Sequence, residues 1–106
     1  MPGPRVMLER DVEEKICDYA KSRGIAAYKF TSPARRSVPD RLVLAPIPEW
    51  LRPVIAQYIQ FIEMKRTGED ATPPQKREHV RLRALGFTVH VVDDPEKGKR
   101  IVDLML

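Results

Sequence analysis

Apolar residues recur along the chain at two spacings, and each spacing predicts one kind of element. Residues 8–23 carry apolar side chains three and four positions apart, with acidic residues early, basic residues late and Gly24 directly after them. This pattern is typical of an amphipathic helix that ends at a glycine. Short apolar runs predict four strands, at residues 25–30, 41–44, 60–65 and 87–92.

A second helix is predicted between the third and fourth strands. Thr72 is a good N-cap residue, Gln75 stands at the third helical position, as in a capping box, and Gly86 is a C-terminal stop. Because a helical crossover joins parallel strands, we expect the third and fourth strands to be parallel. The pattern therefore predicts an α/β fold in the order α-β-β-β-α-β, with a mixed four-stranded sheet flanked by helices.

Three further segments complete the prediction. Residues 46–58 contain prolines but keep helical spacing, so we expect an insertion of short helical turns with Pro53 near a helix start. The apolar end of residues 96–106 fits either a last helix or an edge strand. Residues 1–7 read as a flexible tail, and residues 1–106 as a single domain.

Composition narrows the protein class. The net charge of +4 permits a polyanionic partner without demanding one. The single cysteine, Cys17, excludes an internal disulfide and a cysteine-rich zinc site. No segment approaches the roughly 20 apolar residues of a membrane helix, and residues 1–10 do not resemble a secretory signal. We therefore expect a cytoplasmic protein without a membrane association.

Candidate chemistry lies on the third strand. The two-residue period of a strand places Glu63 and Lys65 on one face, and Asp40 immediately precedes the second strand. If the two strands pair, two carboxylates and an ammonium meet at one sheet edge. Two carboxylates form a hard oxygen site of the kind that holds Mg²⁺ or Mn²⁺, so the residues favour metal-assisted hydrolysis of a phosphate ester.

These residues resemble a nuclease superfamily. Pro39-Asp40, followed by Glu63-x-Lys65 on a strand before a helix, resembles the PD-(D/E)XK nucleases, which have a restriction-endonuclease-like core. The matches extend to the VRR-NUC branch. They comprise Tyr28-Lys29-Phe30, Val38-Pro39-Asp40-Arg41, the strand that begins at Phe61 and the Leu-Gly-Phe at residues 85–87.

The resemblance implies a complete site. The metal ligands would be Asp40, Glu63 and the main-chain carbonyl of Met64, with Glu13 as a further candidate ligand, and Lys65 would be catalytic. Two further residues would complete the site. They are Glu13, the matching glutamate on the first helix, and Gln75, the glutamine that opens the later helix.

As a stand-alone domain of this size, the chain is similar to phage and bacterial members of the family. Those nucleases act as homodimers on branched DNA, notably four-way (Holliday) junctions. The resemblance therefore implies a Mg²⁺- or Mn²⁺-dependent endonuclease in a bacterial cell or a phage-infected host. Two alternatives stay open: a catalytically silent nuclease fold that binds DNA or serves as an assembly subunit, and a less selective restriction-type nuclease. Basic residues around the site are expected to contact DNA phosphates: Arg35, Arg36, Arg41, Arg66, Lys76 and Arg77.

Several candidates also have purely structural explanations. Glu13 would stabilise the helix dipole in any case, and Gln75 would serve the capping box. Glu13-Glu14-Lys15 repeats the Glu-x-Lys sequence pattern on a predicted helix, where residues two apart do not face each other. Ser37 stands where the family usually has glycine, so a positive φ there would be strained. His79 and His90 lack ligand spacing and are assigned to packing or to the surface.

Overall fold

The computed structural model describes residues 6–31 and 37–106. The chain divides into two compact units, residues 1–45 and 46–106, and the boundary coincides with the start of the predicted insertion. The helices and strands, in chain order, are α1 (Glu9–Ser22), β1 (Ala26–Lys29), β2 (Arg41–Leu44), α2 (Arg52–Tyr58), β3 (Phe61–Met64), α3 (Pro73–Leu85), β4 (Val89–Val92) and α4 (Pro95–Asp103). A short 3₁₀ turn, Glu49–Leu51, precedes α2.

The first unit contains α1 and an antiparallel pair, β1 and β2. Helix α1 ends as the sequence predicts, because Gly24 adopts a φ of 73° and turns the chain towards β1. The strands pair from Ala26 opposite Leu44 to Lys29 opposite Arg41. Beyond the strand ends, the Phe30 N–H donates to the Asp40 carbonyl at 2.8 Å. This bond holds the backbone of residue 40 at the beginning of β2.

The predicted apolar stripe of α1 is mostly exposed. Ala20 is buried, whereas Val12, Ile16 and Tyr19 are 41%, 56% and 67% exposed. Two strands of four residues offer too little apolar surface to cover the whole stripe of a 14-residue helix. The spacing thus identified the helix but did not show how much of its apolar face is covered.

The second unit is built on a parallel pair, β3 and β4, joined by α3 as predicted. The Thr72 N–H donates to Gln75 Oε1 at 2.9 Å, and the Gln75 N–H donates to the Thr72 hydroxyl at 3.3 Å, which forms the predicted capping box. At the other end Gly86 adopts a φ of 104° and ends the helix. Both ends of α3 are therefore fixed by local interactions.

Apolar residues of the second unit pack on both sides of this strand pair. The rings of Phe61 and Phe87 meet edge to face with centroids 5.6 Å apart, and Leu82 of α3 is buried. The final segment is helical, as α4, with Asp94 as its N-cap and Ile101 buried. This resolves the choice between helix and strand that the sequence left open.

The insertion folds as predicted into a 3₁₀ turn and α2, with Pro53 in the first turn of that helix. The Ile47 N–H donates to the Leu85 carbonyl at 2.8 Å, and Arg52 Nε donates to the Ile47 carbonyl at 3.1 Å. The first bond fastens the insertion to the end of α3, and the second is formed within the insertion. No helix among the residues that the structure describes is long and apolar enough to cross a membrane.

The α/β class and the predicted element order are confirmed, with α2 in the insertion and α4 at the end. The strands, however, form two sheets of two instead of the expected sheet of four, since β2 pairs with β1 and β3 pairs with β4. A segment that contains three prolines and helical turns separates β2 from β3 along the chain. A hairpin would instead have placed the two strands side by side. Asp40 and Glu63 consequently belong to different units, and their convergence stays a prediction.

Candidate active site

Glu63 is the best-positioned carboxylate of the second unit. It is the third residue of β3, pairs in register with Val91, and is half-buried. His79 of α3 lies above it, with Nε2 3.1 Å from Glu63 Oε1. The side chain of His79 is 7% exposed and that of Glu63 27%. One oxygen of the carboxylate, Oε1, is thus held by a buried side chain.

Helix α3 brings two candidate polar side chains to the same side. Gln75 and His79 are four residues apart, so they lie one above the other on one helix face. The assignment of His79 to packing is confirmed by its burial. Its contact with Glu63, however, was missed. The signal that could have revealed it is the four-residue spacing from Gln75, because this spacing places the imidazole on the side of the helix that faces the site.

Lys65 lies on the same face of the strand as Glu63. Its N–H donates to the Val92 carbonyl at 2.8 Å, so the ladder of hydrogen bonds continues one residue beyond β3 and the alternation of side chains is maintained. The Lys65 ammonium is also close enough to Asp70 to influence that carboxyl. The pKa of Asp70 is held below its usual value of 3.8 by the hydrogen bond from Lys76 first, then by the Ala71 N–H and the charge of Lys76. Burial opposes this shift of the pKa, and the charge of Lys65 adds the weakest lowering effect.

The main-chain carbonyl of Met64 faces the open edge of β3. The Phe61 N–H donates at 3.0 Å to the carbonyl of Thr88, directly before β4, and the Lys65 N–H donates at 2.8 Å to Val92 of β4. Peptide groups along a strand alternate between its two edges, so those of Met64 are directed away from β4. The predicted carbonyl ligand is therefore not used by the ladder of this two-stranded sheet.

Gln75 is fully explained as a helix-capping residue. Its Oε1 accepts the Thr72 N–H at 2.9 Å, and its own N–H completes the capping box. A second role in the site, which the resemblance implies, stays a prediction.

In the first unit, Glu13 and Asp40 line one cleft of about 230 Å³. Arg41 also lines this cleft, with Nε 2.6 Å and Nη2 2.5 Å from Glu13 Oε1. Asp40 itself is exposed. Ser37, three residues earlier, adopts a φ of 63°, a left-handed conformation that is strained for a residue other than glycine.

The basic residues predicted to contact DNA differ in their surroundings. Arg41 is paired with Glu13, Arg66 lies 3.6 Å from Glu69, and Lys76 lies 3.0 Å from Asp70. Arg77 is exposed on α3. Arg35 and Arg36 lie outside the described residues. The pairs around Arg66 and Lys76 are exposed, so water and phosphate can compete for these cations.

The donor atoms of the second unit suit a hard cation. Glu63 Oε2 and the Met64 carbonyl are oxygen ligands of the type that Mg²⁺ and Mn²⁺ prefer, and such ions usually complete their shell with water and substrate phosphate. Within residues 6–31 and 37–106, the structure brings together no group of three or more His, Cys, Asp or Glu side chains that could hold a metal ion.

The surface opposite Glu63 has a different character. A cleft of about 660 Å³ lies there, along Ile62 and Met64 of β3 and Val102 of α4. Met64 is 77% exposed in it. Most of the accessible surface of this cleft is apolar, and Lys65 and Arg66, which follow β3, also line it.

Comparison with known proteins identifies one relevant similarity. The chain is 42% identical over 92 residues to a protein named "Putative nuclease p44" of Acyrthosiphon pisum secondary endosymbiont phage 1. The aligned region spans 87% of this chain and 89% of the phage protein. No protein-family model and no solved structure matches the chain.

Proposed function

Because the chain belongs to the same nuclease family as the phage protein p44, we propose that it is a Mg²⁺- or Mn²⁺-dependent endodeoxyribonuclease of the VRR-NUC branch of the PD-(D/E)XK superfamily. Its substrate would be branched DNA, with four-way junctions as the favoured form. The observation that carries the proposal is the face of β3, where Glu63 is held by His79 and Lys65 follows two residues later.

The residues divide the chemistry between them. Glu63 Oε2 and the Met64 carbonyl supply oxygen ligands in the second unit, and Asp40 of the first unit is the second carboxylate that the sequence predicts. A bound Mg²⁺ or Mn²⁺ would lower the pKa of a water molecule and offset negative charge at the phosphate. Lys65 would orient that water, accept its proton, or stabilise the charge that develops on the phosphate oxygens.

Glu13 and Gln75 have a smaller share in the proposal. Glu13 lines the cleft that also contains Asp40, which is compatible with a role beside that carboxylate. Gln75 lies one helical turn before His79 on the same face of α3. Each has an independent structural partner, Arg41 and Thr72 respectively, so we assign their functional roles on the family resemblance alone.

DNA would be held mainly through its phosphates. Arg66, Lys76 and Arg77 lie on the second unit, beside or shortly after the Glu63 strand, and Arg41 lies on the first; Arg35 and Arg36 are sequence-based candidates. Phosphate contacts make binding fall steeply with salt and carry no sequence information. Such contacts fit selection by DNA shape.

We further propose a homodimer, since two symmetry-related sites can cut both strands of a junction. Exposed apolar side chains of the insertion and the C-terminal segment support such an interface: Trp50 is 77% exposed, Tyr58 73% and Leu104 78%. Light scattering coupled to size exclusion should give the mass of a dimer at micromolar concentration. A monomer would contradict this part of the proposal alone.

The function is tested with three DNA substrates. A synthetic four-way junction, a linear duplex of the same arm sequence and a single strand are incubated with the protein, with Mn²⁺ or with EDTA. We expect Mn²⁺-dependent cleavage of the junction in preference to both controls. Equal cleavage of the duplex would instead indicate a restriction-type nuclease, and junction binding without cleavage would indicate a silent DNA-binding subunit.

A further inference from the structure

The burial of His79 is unusual for its residue type. Among residues 6–31 and 37–106, His79 is the only polar side chain that is buried. A buried polar group is costly unless it forms a hydrogen bond, and the partner of this imidazole is Glu63 Oε1, 3.1 Å from Nε2. The buried imidazole is thus directed at the candidate metal ligand.

The imidazole lies on a helix whose two ends are fixed by local interactions. Helix α3 is fixed at its start by the Thr72–Gln75 capping box and at its end by Gly86. His79 lies between these two ends and has only two side-chain torsions. Its Nε2 therefore has a defined position above β3, and a hydrogen bond from it restricts the rotamers of Glu63.

The other glutamate of the predicted site has a contrasting partner. Glu13 is paired with the guanidinium of Arg41, which carries a permanent positive charge. An imidazole can donate a hydrogen bond to a carboxylate without carrying that full charge. A carboxylate held in this way keeps its negative charge for a cation, whereas one paired with arginine is already neutralised.

We infer that His79 is a positioning residue for metal binding: by donating from Nε2 to Oε1 of Glu63, it orients the carboxylate and leaves Oε2 as the ligand atom. The inference rests on the proposed metal-dependent function and assigns His79 no contact with substrate. Removing a hydrogen-bond partner of a metal ligand commonly lowers metal affinity or activity by roughly 10- to 100-fold.

The test compares replacements of His79 that differ in where they place a hydrogen-bond donor for Glu63. In His79→Gln the amide nitrogen reaches about the position of Nε2, in His79→Asn it falls short, and in His79→Leu the donor is absent. Binding of Mn²⁺ alone is measured by isothermal titration calorimetry for the full chain and each variant. We expect affinity within about threefold of wild type for His79→Gln and roughly 10- to 100-fold weaker for His79→Asn and His79→Leu.

His90 offers a matched control in the same unit. It pairs in register with Ile62, so it lies on the face of the strand pair opposite Glu63. His90→Leu should therefore leave the Mn²⁺ affinity unchanged. Equal losses in His90→Leu and His79→Leu would show a general effect of losing a histidine and would overturn the inference.

A double-mutant cycle separates positioning from packing. In the Glu63→Gln background, His79→Leu should produce no further loss of Mn²⁺ affinity, because the carboxylate through which His79 acts is gone. An additional loss of the same size, or equal affinity of wild type, His79→Asn and His79→Gln, would overturn the inference. Circular dichroism and thermal unfolding verify that each variant is folded, and if His79→Leu does not fold, the Asn and Gln variants decide.

The failure of this inference can be distinguished from the failure of the proposed function. If wild type binds Mn²⁺ and cleaves DNA while the His79 variants bind equally well, only the positioning role is wrong. If wild type neither binds Mn²⁺ nor cleaves, the metal-dependent function and the positioning role are both wrong.

Discussion

Two segments of the chain contain Glu-x-Lys, and the structure gives them different surroundings. Glu13 and Lys15 lie on α1, where residues two apart project from different sides of the helix. Glu63 and Lys65 lie on and directly after β3, where residues two apart share a face. The same three-residue pattern therefore brings a carboxylate and an ammonium together in one unit and separates them in the other.

The partners of the two glutamates differ as well. Glu13 and Arg41 form an ion pair whose side chains are 36% and 31% exposed, whereas His79, which holds Glu63, is 7% exposed. A guanidinium on a long side chain neutralises its partner, and a buried imidazole fixes its partner in place. The comparison shows that the structural environment of a Glu-x-Lys motif, more than its sequence, identifies the residues that can perform chemistry.

The largest expected effect is the difference in cleavage rate between variants that lack the lysine of one or the other Glu-x-Lys motif. Lys65→Ala should reduce Mn²⁺-dependent cleavage by about 10²- to 10⁴-fold, the usual contribution of a positioned acid or base, with little change in DNA binding. Lys15→Ala should leave the rate nearly unchanged, because Lys15 does not face its glutamate. Single-turnover cleavage at saturating enzyme measures the rate, and filter binding with EDTA measures the affinity.

Two outcomes would contradict the distinction between the motifs. Cleavage by Lys65→Ala at the wild-type rate would remove this residue from the site. A loss of cleavage in Lys15→Ala comparable to that in Lys65→Ala would show that the position of the motif on α1 or β3 does not decide its function.

The ends of α1 and α3 give a second comparison, of stability. A Cβ added at Gly86 would lie 2.6 Å from Arg52 Nε, whereas one added at Gly24 would meet no atom within 4 Å. Both glycines have positive φ, so alanine is strained at either position. Gly86→Ala must also displace Arg52 from the Ile47 carbonyl, so we expect a loss of about 2–3 kcal/mol of unfolding free energy, against about 1 kcal/mol for Gly24→Ala.

Gly98 in α4 provides the control for this comparison. An added Cβ there would lie at an ordinary contact distance, 3.5 Å from Val92 Cγ1, and no positive φ is involved. Because alanine is the better helix former, Gly98→Ala should stabilise the protein by roughly 0.5–1 kcal/mol. Urea denaturation measures all three variants, and equal losses for Gly86→Ala and Gly24→Ala would show that Arg52 relaxes without cost.

Local signals predicted the elements well. The capping box at Thr72 and Gln75, the stops at Gly24 and Gly86, and the parallel relation of β3 and β4 all follow from interactions within a few residues or from one helical crossover. At Ser37, where the family resemblance raised the question of a positive φ, the structure has a φ of 63°. These features depend little on distant parts of the chain.

Features set by long-range packing were not predicted. The sequence did not reveal that β2 and β3 belong to separate two-stranded sheets, because hydrogen bonding between strands is not encoded in the apolar alternation of either strand. The contact between His79 and Glu63 joins residues 16 positions apart and depends on how α3 lies against β3. Predicting it requires the helix and the strand to be considered together.

The ion pair of the first unit should have a smaller energetic effect. Glu13→Gln and Arg41→Gln are each expected to lower the unfolding free energy slightly, with a coupling of about 0.5–1 kcal/mol between them, since both side chains are about one-third exposed. A double-mutant cycle in urea measures the coupling at low salt and at 1 M NaCl. A coupling that persists unchanged at high salt would show that the pair is more enclosed than its exposure indicates.

The smallest expected effect concerns the charges beside Lys65. The hydrogen bond from Lys76 is the main reason that the pKa of Asp70 is below its usual value of 3.8, so the carboxylate contributes stability that is fully present above that value and is lost as the pH falls through the lowered pKa. A carbon-detected NMR titration of the Asp70 carboxyl should show a midpoint below 3.8 in wild type and a higher midpoint in Lys76→Gln. Lys99→Gln, which removes the partner of Glu96 on α4, is the matched control and should leave the midpoint unchanged. If Lys76→Gln and Lys99→Gln both titrate like wild type, the pairing of Lys76 with Asp70 does not persist in solution, and Lys76 is then unpaired and available to a DNA phosphate.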